Sequence, residues 1–229
     1  MAGGNTRAKP CRVVVLLSGN GSNLQAILEF FKEDPAVCVA AVLSNRADAG
    51  GLERAKAAGI ATEVLLNSDF PDRDAFDQGL AQRIDALGAD LIVLAGFMRI
   101  LSPPFVRHFE GRLLNIHPSL LPRHRGLNTH QKALDAGDTE HGATVHFVNT
   151  ELDGGPAIVQ ARIPVYPEDG PEELATRVLR REHEIYPMAI KWFCDGRLSW
   201  QNQSPWFDGK PLLTPRVLTS PKPTVTPLR

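Results

Sequence analysis

The stretch Leu113-Leu114-Asn115-Ile116-His117-Pro118 reads as a buried β-strand interrupted by two polar side chains. Side chains alternate across a strand, so Leu113, Asn115 and His117 share one face while Leu114 and Ile116 share the other. At roughly 3.3 Å rise per residue, the amide and the imidazole stand about 6–7 Å apart at their bases, close enough for both tips to converge on one small reacting group. Pro118 has no N–H and biases His117 toward extended geometry, so the strand should stop there. Both polar groups then lie at a strand's carboxyl end, where open α/β sheets place their ligand crevices. On this pattern alone, Asn115 and His117 could equally be core polar groups satisfied by neighbouring backbone.

Outward from this strand, apolar strand-like runs alternate with helical stretches, the signature of a parallel sheet wrapped by helices. Strands are expected at Arg12–Leu17, Val37–Leu43, Ala61–Leu65, Asp90–Leu94 and Leu113–Ile116, with helices near Asn23–Phe31, Leu52–Ala58, Arg73–Leu87 and Pro103–His108. After Pro118 a polar loop leads to a helix near Thr129–Ala136, strands at Ala143–Val148 and Ala157–Val165, and a long helix, Pro171–Trp192. Pro171 suits the first turn of that helix. The tail from Thr214 is rich in Pro, Thr and Ser and is expected to be poorly ordered.

Two loops carry chemistry. Between the strands expected near 148 and 157 lies Glu151-Leu152-Asp153-Gly154-Gly155-Pro156, a glycine-rich loop presenting an acid. By itself such a segment is an ordinary turn. Together, its carboxylate, the imidazole of His117 and the carboxamide of Asn115 supply the parts for general acid–base work beside an oxyanion. The first strand runs into Ser18-Gly19-Asn20-Gly21-Ser22-Asn23 and then a helix, so glycines and unpaired helix N–H groups form a cradle for an anion. It is not a dinucleotide fingerprint: Leu24 stands where the third glycine of G-x-G-x-x-G belongs. The second strand ends in Ser44-Asn45-Arg46, without an acid for a ribose hydroxyl; Arg46 leaves a phosphorylated cofactor open, a single terminal phosphate fits better, and a strand-to-helix turn that merely needs glycine is the alternative.

Composition narrows the class. The 229 residues suffice for one large domain, and a net charge of −1 with intermixed signs gives no global basic field for nucleic acid or membrane. No apolar run has the length of a membrane span, and MAGGNTRAKP lacks the apolar core of a secretory signal, so a cytoplasmic location is expected. The three cysteines, Cys11, Cys38 and Cys194, suit reduced, mostly buried thiols. None of the seven histidines stands at zinc-ligand spacing, and no metal is expected.

SGNGSNLQAI, AGFMRIL, LLNIHPSLLP, EHGATVHFV, ELDGGP and EHEIYP occur in an order and spacing that resembles the glycinamide ribonucleotide formyltransferases, folate-dependent enzymes of purine synthesis. The resemblance runs from about Val13 to Trp206. It implies a Rossmann-like, mostly parallel sheet flanked by helices, with a smaller C-terminal lobe. It further implies one domain over 1–213, divided into a phosphate-binding half (about 11–110) and a folate and catalytic half (about 111–213), ahead of the 214–229 tail. The implied reaction transfers a formyl group from 10-formyltetrahydrofolate to glycinamide ribonucleotide. Carried over residue by residue, the resemblance makes Asn115, His117 and Asp153 catalytic. It assigns Gly21, Ser22 and Asn23 to the phosphate and Glu182 to ribose hydroxyls. For the folate it points to Arg73, Met98, Arg99, Ile100 and Leu101, and to Asn149, Thr150, Glu151 and Leu152. A carboxylate beside an imidazole favours the imidazolium, so Asp153 is expected to keep His117 charged.

Two positions depart from that pattern: Asn128 where Gly-Leu-His-Thr-His would have its first histidine, and Arg125 where a proline would precede the glycine. His130, His141 and His146 are expected in helix caps, turns or strand contacts, and His183, next to Glu182, is expected to be structural. Three alternatives remain at this stage. A formyltetrahydrofolate deformylase would share the trio but carry a further N-terminal domain. A methionyl-tRNA formyltransferase would need a basic C-terminal domain. A non-catalytic nucleotide-binding module would need only the phosphate loop. The expected partners are small molecules, without nucleic acid or membrane, and the chain is expected to be a monomer or homodimer.

Overall fold

The computed structural model describes residues 9–219. In chain order, the first half comprises β1 (Cys11–Leu17), α1 (Ser22–Phe31), β2 (Val37–Ser44), α2 (Gly50–Ala57), β3 (Thr62–Val64), α3 (Arg73–Ala86), β4 (Leu91–Leu94) and α4 (Pro103–His108). Then follow β5 (Leu113–His117), α5 (Thr129–Asp135), β6 (Glu140–Phe147), β7 (Ala157–Pro164) and α6 (Pro171–Cys194). The chain closes with β8 (Leu198–Gln201), β9 (Ser204–Phe207), β10 (Lys210–Pro211) and β11 (Arg216–Thr219). Eight strands form one sheet in the order β11-β7-β6-β5-β4-β1-β2-β3, and β10-β9-β8 form a small second sheet.

The strands at the middle of the large sheet are apolar on both faces because both faces are covered. Val13, Val15 and Leu17 of β1 pack in one layer with α1 and α6, whereas Val14 and Leu16 pack in the other with α3 and α4. Strands β3, β2, β1, β4 and β5 are parallel, and β6 then runs antiparallel to β5. Strand β5 ends at His117, ahead of Pro118 as the sequence predicts. Leu114 and Ile116 enter the α6 layer and Leu113 the opposite one, so Asn115 and His117 lie on the face away from α6.

Helix α6 has Pro171 at its start and Glu172 and Glu173 in its first turn, where proline and negative charge are both favourable. Its buried stripe includes Leu174, Val178, Ile185, Tyr186 and Ile190. The fully buried Tyr186 hydroxyl is shared between the carbonyls of Leu94 (2.9 Å) and Leu114 (3.1 Å), joining α6 to both β4 and β5. Burial raises its pKa well above the usual tyrosine value, which keeps the proton it donates.

The expected strands and helices are present, but two features at the C-terminal end differ. The smaller lobe is the β8–β10 meander, which the sequence reading did not identify as strands; Trp192 and Phe207, and Phe147 and Trp200, hold it against the main sheet and α6 with ring centroids 4.9 and 5.0 Å apart. The tail expected to be poorly ordered begins instead with β11, whose Arg216–Thr219 pair in parallel with Val159–Arg162 of β7. Its remainder, residues 220–229, lies outside the described residues.

Replacing Tyr186 by phenylalanine removes one buried donor while preserving shape. The expected loss is about 1–2 kcal/mol, seen as a lower urea midpoint at unchanged slope. An unchanged midpoint would show that the hydroxyl does not hold the helix to the strands.

Candidate active site

The carboxyl ends of β1, β4 and β5 meet at a crevice. Ser18, just past β1, donates its backbone N–H to Gly96 O (3.0 Å) and its hydroxyl to Asn45 Oδ1 (2.6 Å), and it accepts the Met98 N–H at 2.8 Å. One serine therefore ties together the loops that follow β1, β2 and β4.

The glycine-rich loop after β1 runs directly into α1. Gly21 adopts φ +76° as α1 begins, and α1 has neither a side-chain cap nor an acid in its first turn, so its positive end stays free for an anion. A Cβ on Gly21 would lie 2.6 Å from the Gly51 Cα, because the first turn of α2 packs directly on the loop. Gly51 N–H donates to Gly19 O (3.1 Å), and Arg54 braces Asn20 through its backbone carbonyl (2.8 Å) and side-chain oxygen (3.2 Å). Asn23 donates to Glu182 Oε2 at 2.7 Å, joining the first turn of α1 to the middle of α6. Burial raises the Glu182 pKa, opposed in part by that hydrogen bond. Gly21, Ser22, Asn23 and Glu182 thus fall in one place.

Asn115, His117 and Asp153 converge as well. Loop 148–156 brings Asp153, at φ +48°, over the polar face of β5, and Asp153 Oδ2 lies 3.5 Å from His117 Nδ1. The same oxygen accepts the Gly126 N–H at 2.9 Å. His117 Nε2 lies 3.0 Å from the His124 carbonyl, which can only accept, so this nitrogen carries a proton. The other ring nitrogen, Nδ1, faces the Asp153 carboxylate.

A fourth residue orders this group. His146 lies opposite Asn115 in the β5–β6 ladder. Its Nδ1–H donates to the Phe147 carbonyl (2.8 Å), which leaves Nε2 to accept from Asn115 Nδ2 at 3.1 Å. Burial lowers the His146 pKa to about 4, so the ring is neutral and its 3.9 Å approach to Asp153 Oδ1 is not an ion pair at neutral pH. One Asn115 N–H is thereby fixed and the other remains for a ligand. The strand contact expected of His146 is this one, and its signal is pairing register, which a single strand does not display.

Above the trio opens a cavity of about 560 Å³, lined by Gly96–Ile100, Asn115–Pro118, Gly126–His130, Leu152 and Asp153. Among the residues predicted for the folate, Met98, Arg99, Ile100 and Leu152 line it. The Leu101 side chain is buried in the α3–α4 core layer instead. Arg73 is exposed on the first turn of α3, outside the lining. Asn149 accepts the Glu151 N–H (3.0 Å), Thr150 is exposed, and Glu151 pairs with Arg125; none of the three lines the cavity. The Arg99 guanidinium lies 3.9 Å from the Phe76 ring centroid and hydrogen-bonds Asn67. The sequence reading missed the Gly126–His130 wall. Among the described residues, no cluster of three or more His, Cys, Asp or Glu is arranged to hold a metal ion, and no helix is long and apolar enough to cross a membrane.

The formyl transferase family model matches residues 11–190. The chain belongs to the formyl transferase family. It is 56% identical over 201 residues to phosphoribosylglycinamide formyltransferase of Escherichia coli, covering 87% of this chain and 95% of that protein. It is 43% identical over 189 residues to the human trifunctional purine biosynthetic protein adenosine-3, covering 82% of this chain and 19% of that longer protein. The structure of the Coxiella burnetii phosphoribosylglycinamide formyltransferase superposes with a TM-score of 0.88 at 51% identity, covering 91% of this chain and 99% of that one. Within this formyl transferase, the cleft brings an amide donor, an imidazole and a carboxylate together beside one cavity.

His141 shares with His146 a pKa lowered by burial to about 4. The unfolded chain binds protons on both below about pH 6.5 and the folded one does not, so stability is complete above pH 6.5 and falls toward pH 4. Glu182, raised by burial, acts in the opposite sense at the acidic end of that window. Urea titrations should show a lower midpoint at pH 5 than at pH 7, with a smaller drop in His141→Asn. A flat profile would mean that both rings are already protonated in the fold.

Proposed function

We propose that this cleft transfers the formyl group of 10-formyltetrahydrofolate to the amine of glycinamide ribonucleotide, giving N-formylglycinamide ribonucleotide and tetrahydrofolate in purine synthesis. The observation that carries this reading is the convergence of Asn115, His117 and Asp153 beneath a cavity that neighbours the phosphate cradle. Met98, Ile100, Leu127 and Leu152 supply apolar wall at its mouth, suited to a flat pterin, and the α1 terminus suits a phosphate. Glu182 suits ribose hydroxyls. The chain acts on these two small molecules in the cytoplasm, as a monomer or homodimer, without a nucleic acid or membrane partner.

Attack of the amine on the formyl carbon produces a tetrahedral centre whose oxygen becomes negative. The free Asn115 N–H and the His117 imidazolium stabilise that oxygen, and His146 and Asp153 hold each in orientation. Asp153 also steers the proton from the attacking amine toward the leaving nitrogen. The reaction as written calls for no covalent enzyme intermediate and no metal; alignment of two bound substrates in a preorganised polar site supplies the rate.

Purified chain incubated with 10-formyltetrahydrofolate should release deformylated folate only when glycinamide ribonucleotide is present. Ribonucleotide-independent release would indicate hydrolysis of the donor instead, and no release in either case would leave a binding module. Asp153→Asn should lower kcat roughly 100-fold or more with little change in either KM, since the carboxylate acts in the transition state; a large KM rise with kcat intact contradicts that role. Ser22→Asp should raise KM for the ribonucleotide alone, by repulsion of the phosphate. A rise in the folate KM instead would reverse the division of the cleft.

A further inference from the structure

At the end of the sheet opposite the cleft, two cysteines that the reaction does not use come together. Cys11 shares the α6-facing side of β1 with Val13, Val15 and Leu17. Cys194, the last residue of α6, continues the i, i+4 row of Tyr186 and Ile190, and both cysteines pack on the same core layer. The ends of the two elements are tied independently. Cys11 N–H donates to Ala36 O (2.8 Å), Ala36 N–H donates to Asp34 Oδ1 (2.9 Å), and Asp34 Oδ2 holds Lys191 Nζ at 2.9 Å in the last turn of α6. The third cysteine, Cys38, pairs laterally with Arg12 and so points to the other face of the sheet. All three are free thiols.

We propose that Cys11 and Cys194 are a redox-responsive pair that closes to a disulfide, tying the start of β1 to the end of α6, when a low-molecular-weight disulfide is in excess. Exchange can open at either thiol, and from Cys11 it runs in two steps. The Cys11 thiolate breaks the external disulfide, releases one small thiol and leaves a mixed disulfide on Cys11. That removes the charge opposing ionisation of Cys194, whose thiolate then attacks the Cys11 sulfur and expels the second small thiol. Two protein thiols are oxidised and one external disulfide is reduced to two thiols. The crosslink spans most of the chain, which constrains the unfolded state and raises thermal stability, while the distant cleft keeps its activity.

The test treats the full chain with oxidised glutathione and quenches it with an alkylating agent. Titratable thiols should fall from three to one, non-reducing peptide mapping should show Cys11 linked to Cys194, and Tm should rise by several degrees with kcat unchanged. Cys194→Ala should fold with unaltered turnover, form no link and show no rise in Tm. Glutathione adducts without the internal link, a link through Cys38, or crosslinks between chains would each overturn the proposal.

Discussion

One phenol under the cleft determines how its parts are spaced. Tyr186 sits one turn beyond Glu182 on α6 and shares its hydroxyl proton between the carbonyls of Leu94 and Leu114. Leu114 immediately precedes Asn115, and Leu94 precedes the turn that carries Met98. A single buried hydroxyl therefore sets the distance from Glu182 to the strand that carries Asn115 and His117. Burial makes it effective: an unpaired phenol in this layer would cost more than the hydrogen bond contributes net, so the helix does not slide without losing both acceptors.

Two imidazoles flank the same carboxylate and are held by different partners. His117 lies 3.5 Å from Asp153 and has the His124 carbonyl as acceptor at its other nitrogen. His146 lies 3.9 Å from the other carboxylate oxygen, but its Nε2 accepts an amide proton and its burial is nearly complete. Partner chemistry outweighs proximity here. Protonating His146 would set a donor against the Asn115 amide and release the orientation of that side chain. The neutral ring is thus what holds the Asn115 amide in place.

Much of this was legible in the residues. The LLNIHP strand, the glycine-rich cradle and the acid of loop 148–156 each carry a local signature, and the structure brings them together at one crevice. What escaped depends on contacts between distant segments. The β8–β9 hairpin turns at Asn202-Gln203, both with positive φ, and lacks the Asn-Gly signal that marks such turns. Strand β11 sits among prolines, and its pairing with β7 gives it order that its own pattern does not announce. Leu101 belongs to a plausible folate run by spacing, yet tertiary packing turns its side chain into the core.

The two departures from the family pattern fall on the loop that faces Asp153, and each has a local account. Asn128 holds φ +59° at the start of α5, a left-handed geometry that asparagine tolerates better than most residues. Arg125 gives up the restriction a proline would place on the unfolded chain. In exchange its guanidinium pairs with Glu151, joining loop 118–128 to loop 148–156. Such a partly exposed pair contributes at most about 1 kcal/mol, so it is not what fixes the Asp153 carboxylate. That task falls to the next residue, whose half-buried backbone donor, Gly126 N–H, holds Asp153 Oδ2 at 2.9 Å. The substitution therefore alters the link between the two loops while leaving the donor that orients Asp153 in the backbone, where a side-chain change cannot remove it.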